Sequence, residues 1–220
     1  MSILPIDTGR YGTKEMLEIF KEQKKIDYQL DIEAAAALSQ SEIGLIPASV
    51  AKDISRIAKS GKITAKRIKQ LEAKSDHDTA ALVEALAEKC KTESRPWIHY
   101  GLTSNDLVDT SNSMQIRDAI KIIQPKVSKL SLILAKNAVK HKSVPAVGRT
   151  HGQHASIISF GLKFANWAAE MSTHLERLDE IKKRVLICKT MGVVGTGSLM
   201  GKNAIRVQER VAKKLGLYSA

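Results

Sequence analysis

A chain of 220 residues has the length of one large domain or two modest ones, and 43% hydrophobic with 26% charged residues excludes a disordered polymer. Aromatic residues make up only 4%, which points the core toward Ala, Leu, Ile and Val in packed helices and away from a β-sandwich. The formal net charge of +12 raises nucleic acid as a partner, but KEQKK, KITAKRIKQLEAK and EIKKR alternate with apolar residues at helical spacing, the pattern of solvated lysine faces, and a polyanionic small substrate fits the same surplus.

In chain order, the first twelve residues read as irregular, with Pro5, Gly9 and Gly12. A helix is expected from Thr13 to about Ser41 on Met16, Leu17, Phe20, Leu30, Ala34 and Leu38, with Thr13 as its cap. Gly44 and Pro47 end it and open a second helix, which Gly61 stops; Thr64 then caps a short basic helix to about Lys74. SDHDTAALVEALAEKC reads as a further helix capped by Ser75 or Asp76. Beyond Pro96, WIHYGLTSND bridges into a glycine-free apolar pattern from Asn105 to about Lys142, with Pro125 expected to kink it. A loop is expected over Pro145–Gly152, a second long helix over about Ala155–Lys189, a glycine-rich turn at MGVVGTGSLMGKNA and a last helix over Asn203–Leu215. The fold class predicted is all-α, with an N-terminal helical domain at 1–102 and the start of a long-helix bundle at 103–220. Two such long helices present more apolar surface than they bury against each other, so an oligomeric bundle is expected.

No apolar run approaches the ~18 residues of a membrane helix. Cys90 and Cys188 stand in unrelated contexts and read as reduced thiols of a cytoplasmic protein.

Polar clusters mark the helix ends. Thr103 and Asp106 have capping-box spacing; the exposed amides and the Thr103 and Ser104 hydroxyls there also suit a carboxylate or phosphate. Asp76, His77 and Asp78 crowd another helix start, where a surface histidine beside a capping acid is the plainer reading. His99, in WIHYG, suits a packed, hydrogen-bonded ring. His151 and His154 lack the further ligands a metal needs, so one of them as general acid or base fits better. GTGSLMGKN is not a phosphate loop: Thr196 stands where the first glycine belongs and Asn203 where Ser or Thr must hold Mg²⁺.

The succession RY (Arg10, Tyr11), HD (His77, Asp78), WIHYGLTSNDLVDT (97–110), GRTHGQHASIISFGLK (148–163) and GVVGTGS resembles the fumarase/aspartase superfamily, and within it the adenylosuccinate lyases. Argininosuccinate lyases and muconate cycloisomerases share the layout with different wording. The resemblance implies β-elimination of fumarate from adenylosuccinate to give AMP, and from the succinyl-carboxamide ribotide earlier in purine synthesis, with no cofactor and no metal. It implies His151 as the general acid with Thr150 beside it. Substrate contacts implied are Arg10 and Tyr11 at the nucleotide end, His77 and Asp78, and Thr103 and Ser104 on a carboxylate. Asp76 is counted with these substrate contacts, although it departs from the arginine that bacterial members often carry. Family sites are shared between subunits of a homotetramer. The family's S-S-x-M-P-x-K-x-N loop, which bears the base, is not in this sequence, so the chain is expected to be an N-terminal fragment, inactive alone. A sibling lyase or cycloisomerase, a catalytically silent helical scaffold and a basic nucleic-acid binder are the alternatives.

Overall fold

The computed structural model describes residues 11–220, and the chain divides into two compact units. One takes in the residues up to Asp118 together with Lys183–Ala220; the other is Ala119–Lys182.

In the first unit, α1 (Lys14–Ile19) and α2 (Glu22–Glu42) replace the single helix expected from Thr13. The Thr13 hydroxyl does accept the Met16 N–H, at 3.3 Å, as a cap. The break follows from a tertiary bond: buried Gln115 donates its Nε2 to the Ile19 carbonyl at 3.1 Å, taking the acceptor that an unbroken helix would give to Gln23. α2 is buried nearly all round, including its run Ala34–Ala37, and packs on α3 (Ala48–Ala58), whose Ile54 and Ile57 are buried. α4 (Ala65–Ser75) starts at the Thr64 cap, whose hydroxyl accepts the Arg67 N–H at 3.3 Å. Neither Ser75 nor Asp76 caps α5 (Asp78–Ala87). Asp76 closes α4 in the left-handed region at φ 51°, and His77 is the cap, its Nδ1 accepting the Ala80 N–H at 3.3 Å. Two residues thus separate the helices, too few for the aspartate to serve the second one.

α6 (Ser104–Lys140) carries Pro125 within it and runs on. From Lys183, the chain completes α7 (Phe160–Val185), forms β3 (Ile187–Cys188), winds through the glycine-rich turn and ends in α8 (Ala204–Leu215) and β4 (Tyr218–Ser219). α8 buries Val207, Val211 and Leu215 and packs on α2, and β3 pairs with β4 in parallel.

In the second unit, the expected loop and helix start are a β-hairpin instead: β1 (Pro145–Thr150) pairs antiparallel with β2 (Gln153–Ser159). His151 and Gly152 sit at φ 53° and 74°, so the connection is a two-residue turn with both φ positive, whose twist suits an antiparallel pair. α7 (Phe160–Val185) therefore begins at Phe160, not Ala155. Its Gly161 lies hard against the end of α6: a Cβ there would stand 2.4 Å from the Ala138 carbonyl oxygen. His141, Phe160, Phe164 and Trp167 form a chain of ring contacts along that junction. Leu132, Val139 and Ile157 are exposed, 61%, 67% and 81% respectively, so this unit carries a large uncovered apolar surface. The hairpin and the two-residue pairing apart, the frame is helical as predicted. No helix of the described residues is long and apolar enough to cross a membrane.

Candidate active site

The turn between Pro96 and α6 carries the geometry. Ile98 is extended, His99 turns the chain at φ 62°, and the Leu102 N–H returns to the His99 carbonyl at 3.1 Å. Asp106, in the first turn of α6, reaches back: its Oδ2 accepts the Thr103 N–H at 3.1 Å, the carboxylate half of the expected capping box. The same oxygen accepts the Gly192 N–H at 2.8 Å, which ties the glycine-rich turn to this helix start. A Cβ on Gly192 would lie 3.2 Å from the Gly101 carbonyl oxygen, so glycine permits that approach. Burial raises the Asp106 pKa, against the lowering effect of these backbone donors and of Lys189.

A cleft of about 400 Å³ opens beside this turn, lined by His77, Thr79, His99, Thr103, Ser104 and Val193 among others. Four residues singled out in the sequence, His77, His99, Thr103 and Ser104, thus share one space. The first turns of α5 and α6 both face it, and the positive ends of two helix dipoles make it favourable for an anion, although the Thr79 and Ala80 amides are already taken by Asp78 and His77. Asp78 is beside it, not on it: its Oδ1 accepts the Thr79 N–H at 2.6 Å and the Thr79 hydroxyl at 3.2 Å.

His99 is the cleft residue with a built-in counter-ion. Its Nδ1 lies 2.6 Å from Glu33 Oε1, and its backbone N–H donates to Glu33 Oε2 at 3.0 Å. Burial works to lower its pKa, but the hydrogen bond and charge of Glu33, with the charge of Asp106, outweigh that, and the ring titrates above the ordinary imidazole value. The packed, hydrogen-bonded ring read from WIHYG is present, and it also lines the cleft. Glu33 was not legible as part of a site; the only signal was an acid inside the apolar run LDIEAAAAL.

The remaining candidates lie elsewhere. His151 and Thr150 belong to the second unit, at the exposed tip of the hairpin, where Thr150 pairs with Gln153. His154 faces Arg149 across the strands, with Nε2 and the guanidinium 3.2 Å apart. Asp76 is outside the cleft lining and exposed, Tyr11 is exposed, and Arg10 lies outside the described residues. Cys90 and Cys188 are unlinked and buried, their thiols pushed up to about 11 and about 12, chiefly by burial. Among the described residues no group of three or more His, Cys, Asp or Glu is placed to hold a metal.

A protein-family model described as lyase matches residues 9–220. The chain belongs to this lyase family. It is 45% identical over 217 residues to an adenylosuccinate lyase of Methanocaldococcus jannaschii, covering 99% of this chain and 47% of that one. It is 42% identical to the adenylosuccinate lyase of Methanothermobacter thermautotrophicus, covering 99% and 48%. Among solved structures, a fumarate lyase from Mesorhizobium sp. BNC1 matches with a TM-score of 0.88 at 32% identity, over 95% of this chain and 50% of that one. The fold is thus that of the fumarase/aspartase lyases, and the chain spans about half the length of the curated relatives it matches.

Proposed function

We propose that this lyase-family chain carries part of the site of an adenylosuccinate lyase, which eliminates fumarate from adenylosuccinate to give AMP and acts likewise on the succinyl-carboxamide ribotide in purine nucleotide synthesis. The observation that supports it most is the cleft in which His77, Thr103 and Ser104 meet at two helix starts. The reaction builds negative charge next to a carboxylate while a base removes the neighbouring proton, and an acid must protonate the departing nitrogen. In this reading the Thr103 and Ser104 hydroxyls and the amides of the first turn of α6 hold a carboxylate of the substrate. His77 orients the substrate, Asp78 braces the first turn of α5, and Arg10 and Tyr11 meet the nucleotide. His151 is the general acid, with Thr150 beside it, at a turn that exposes its ring.

The general base, by family resemblance, belongs to a loop that this sequence does not contain, so the 220 residues alone do not turn substrate over. The exposed Leu132, Val139 and Trp167 of the long helices support a homotetramer with sites shared between subunits, working in the cytoplasm. Residues 1–102 then form an N-terminal domain and 103–220 the start of the bundle.

The deciding experiment is fumarate release from adenylosuccinate by the complete polypeptide bearing these residues, beside its His151→Ala variant. Turnover in the first and its loss in the second is the expected result. Turnover of neither moves the assignment to a sibling lyase on another succinyl compound or to a silent scaffold.

A further inference from the structure

Glu33 is a buried acid that the reaction as read above does not use. It sits inside α2 with its side chain 2% exposed, among the core residues Ile32, Ala34 and Ala35. A carboxylate in such a place needs compensating partners, and both of its oxygens go to one residue. Oε1 takes the His99 ring at Nδ1 and Oε2 takes the His99 backbone N–H. His99 is also one of three non-glycine residues with positive φ among the described residues, a conformation that persists only where surrounding structure enforces it. The two bonds fix the backbone from which the ring projects and one edge of the ring itself. With Nδ1 committed, Nε2 is the nitrogen His99 has left for the cleft it lines.

We propose that Glu33 is a positioning residue of the lyase site: it holds His99 so that the Nε2–H edge meets an anionic group of the substrate. This rests on the lyase reading of the cleft. The ionisable groups around His99 are Glu33 from α2, Asp106 from α6 and, on the cleft wall, His77 from the start of α5. The two carboxylates favour the imidazolium, and with Nδ1 held by Glu33 its Nε2–H is the donor left for an anionic group.

The test is Glu33→Gln in the complete polypeptide, which keeps the side chain's shape and removes its charge. Expected are a fall in kcat/KM for adenylosuccinate of roughly tenfold near neutral pH, a deficit that closes as the pH is lowered and His99 is protonated again, and a downward move of the His99 ring titration seen by ¹⁵N NMR. Binding of AMP and of fumarate, measured separately, tells which anion His99 meets: the weakened one is its ligand, and equal binding of both by the variant and the parent overturns the proposal. A rate deficit identical at every pH, or an unmoved His99 titration, also overturns it. Absence of turnover by the parent defeats the lyase reading alone, because the His99 titration still decides whether Glu33 governs the ring. Should the variant not fold, the parent decides: a His99 midpoint at or below the ordinary imidazole value ends the proposal.

Discussion

Asp106 and Gly192 are 86 residues apart in sequence, and the Asp106 carboxylate accepts the Gly192 N–H at 2.8 Å while holding the Thr103 N–H at 3.1 Å. One buried side chain thereby joins the start of α6 to the glycine-rich turn, and with them two stretches of the cleft lining, Thr103–Ser104 and Val193. Asp106→Ala leaves two backbone donors without that acceptor. The expected cost is about 2 kcal/mol or more in urea unfolding, with Gly192 and Val193 amide exchange accelerated. A variant as stable as the parent would show that water replaces the carboxylate at no cost.

The Glu33–His99 pair makes stability depend on pH with a definite sign. The folded-state pKa of His99 is raised, so the stabilisation is complete below the unfolded value of about 6.5 and is lost as pH rises through the folded value. The parent's advantage over Glu33→Gln in denaturant midpoint therefore shrinks as the pH rises above about 6.5. A constant or growing advantage contradicts the pairing.

His77 has two separable duties, because its Nδ1 caps α5 while the residue lines the cleft. His77→Ala is expected to lose about 1 kcal/mol of stability, as for other lost caps, whereas His77→Asn keeps it, asparagine being a good cap. Both variants raise KM for adenylosuccinate if the imidazole meets the substrate. Restoration of KM by asparagine would reduce His77 to a cap.

The hairpin tip offers a clean removal of the His151 ring. Asparagine tolerates the left-handed region, so His151→Asn keeps the turn, seen as unchanged β1–β2 amide protection. In the complete polypeptide it lowers kcat by about 10²–10⁴-fold, the usual contribution of a general acid. Full activity in that variant would remove His151 from the chemistry.

Gly161 is a packing test of the second unit. A Cβ would stand 2.4 Å from one backbone atom of the α6 end and 2.9 Å from another, so Gly161→Ala must move helix against helix. A loss of about 1–3 kcal/mol is expected, read as a lower thermal midpoint.

Local signals carried most of the frame. The helix runs, the Thr13 and Thr64 caps and the Thr103–Asp106 box are all written within a few residues of where they act, because caps and amphipathic spacing are short-range physics. The order of polar clusters also marked the lyase family, and it selected His77, Thr103 and Ser104, which share a cleft. What sequence periodicity missed was settled at longer range. The break at Phe20–Lys21 depends on Gln115, far along the chain, taking the Ile19 carbonyl. The hairpin at 145–159 hides because its only turn signal is His–Gly with both φ positive, and its Ile157–Ile158 pair suits a helix start as well as a strand. The place of His99 in the cleft, and of Glu33 behind it, depends on α2 packing beneath the turn before α6, and a hydrogen bond across 66 residues leaves no periodicity to read. Composition and spacing determined the helical class, and the resemblance of the polar motifs pointed to the family; packing alone decided which buried charge stands behind which half-buried ring, because such pairings are chosen by desolvation in the folded interior.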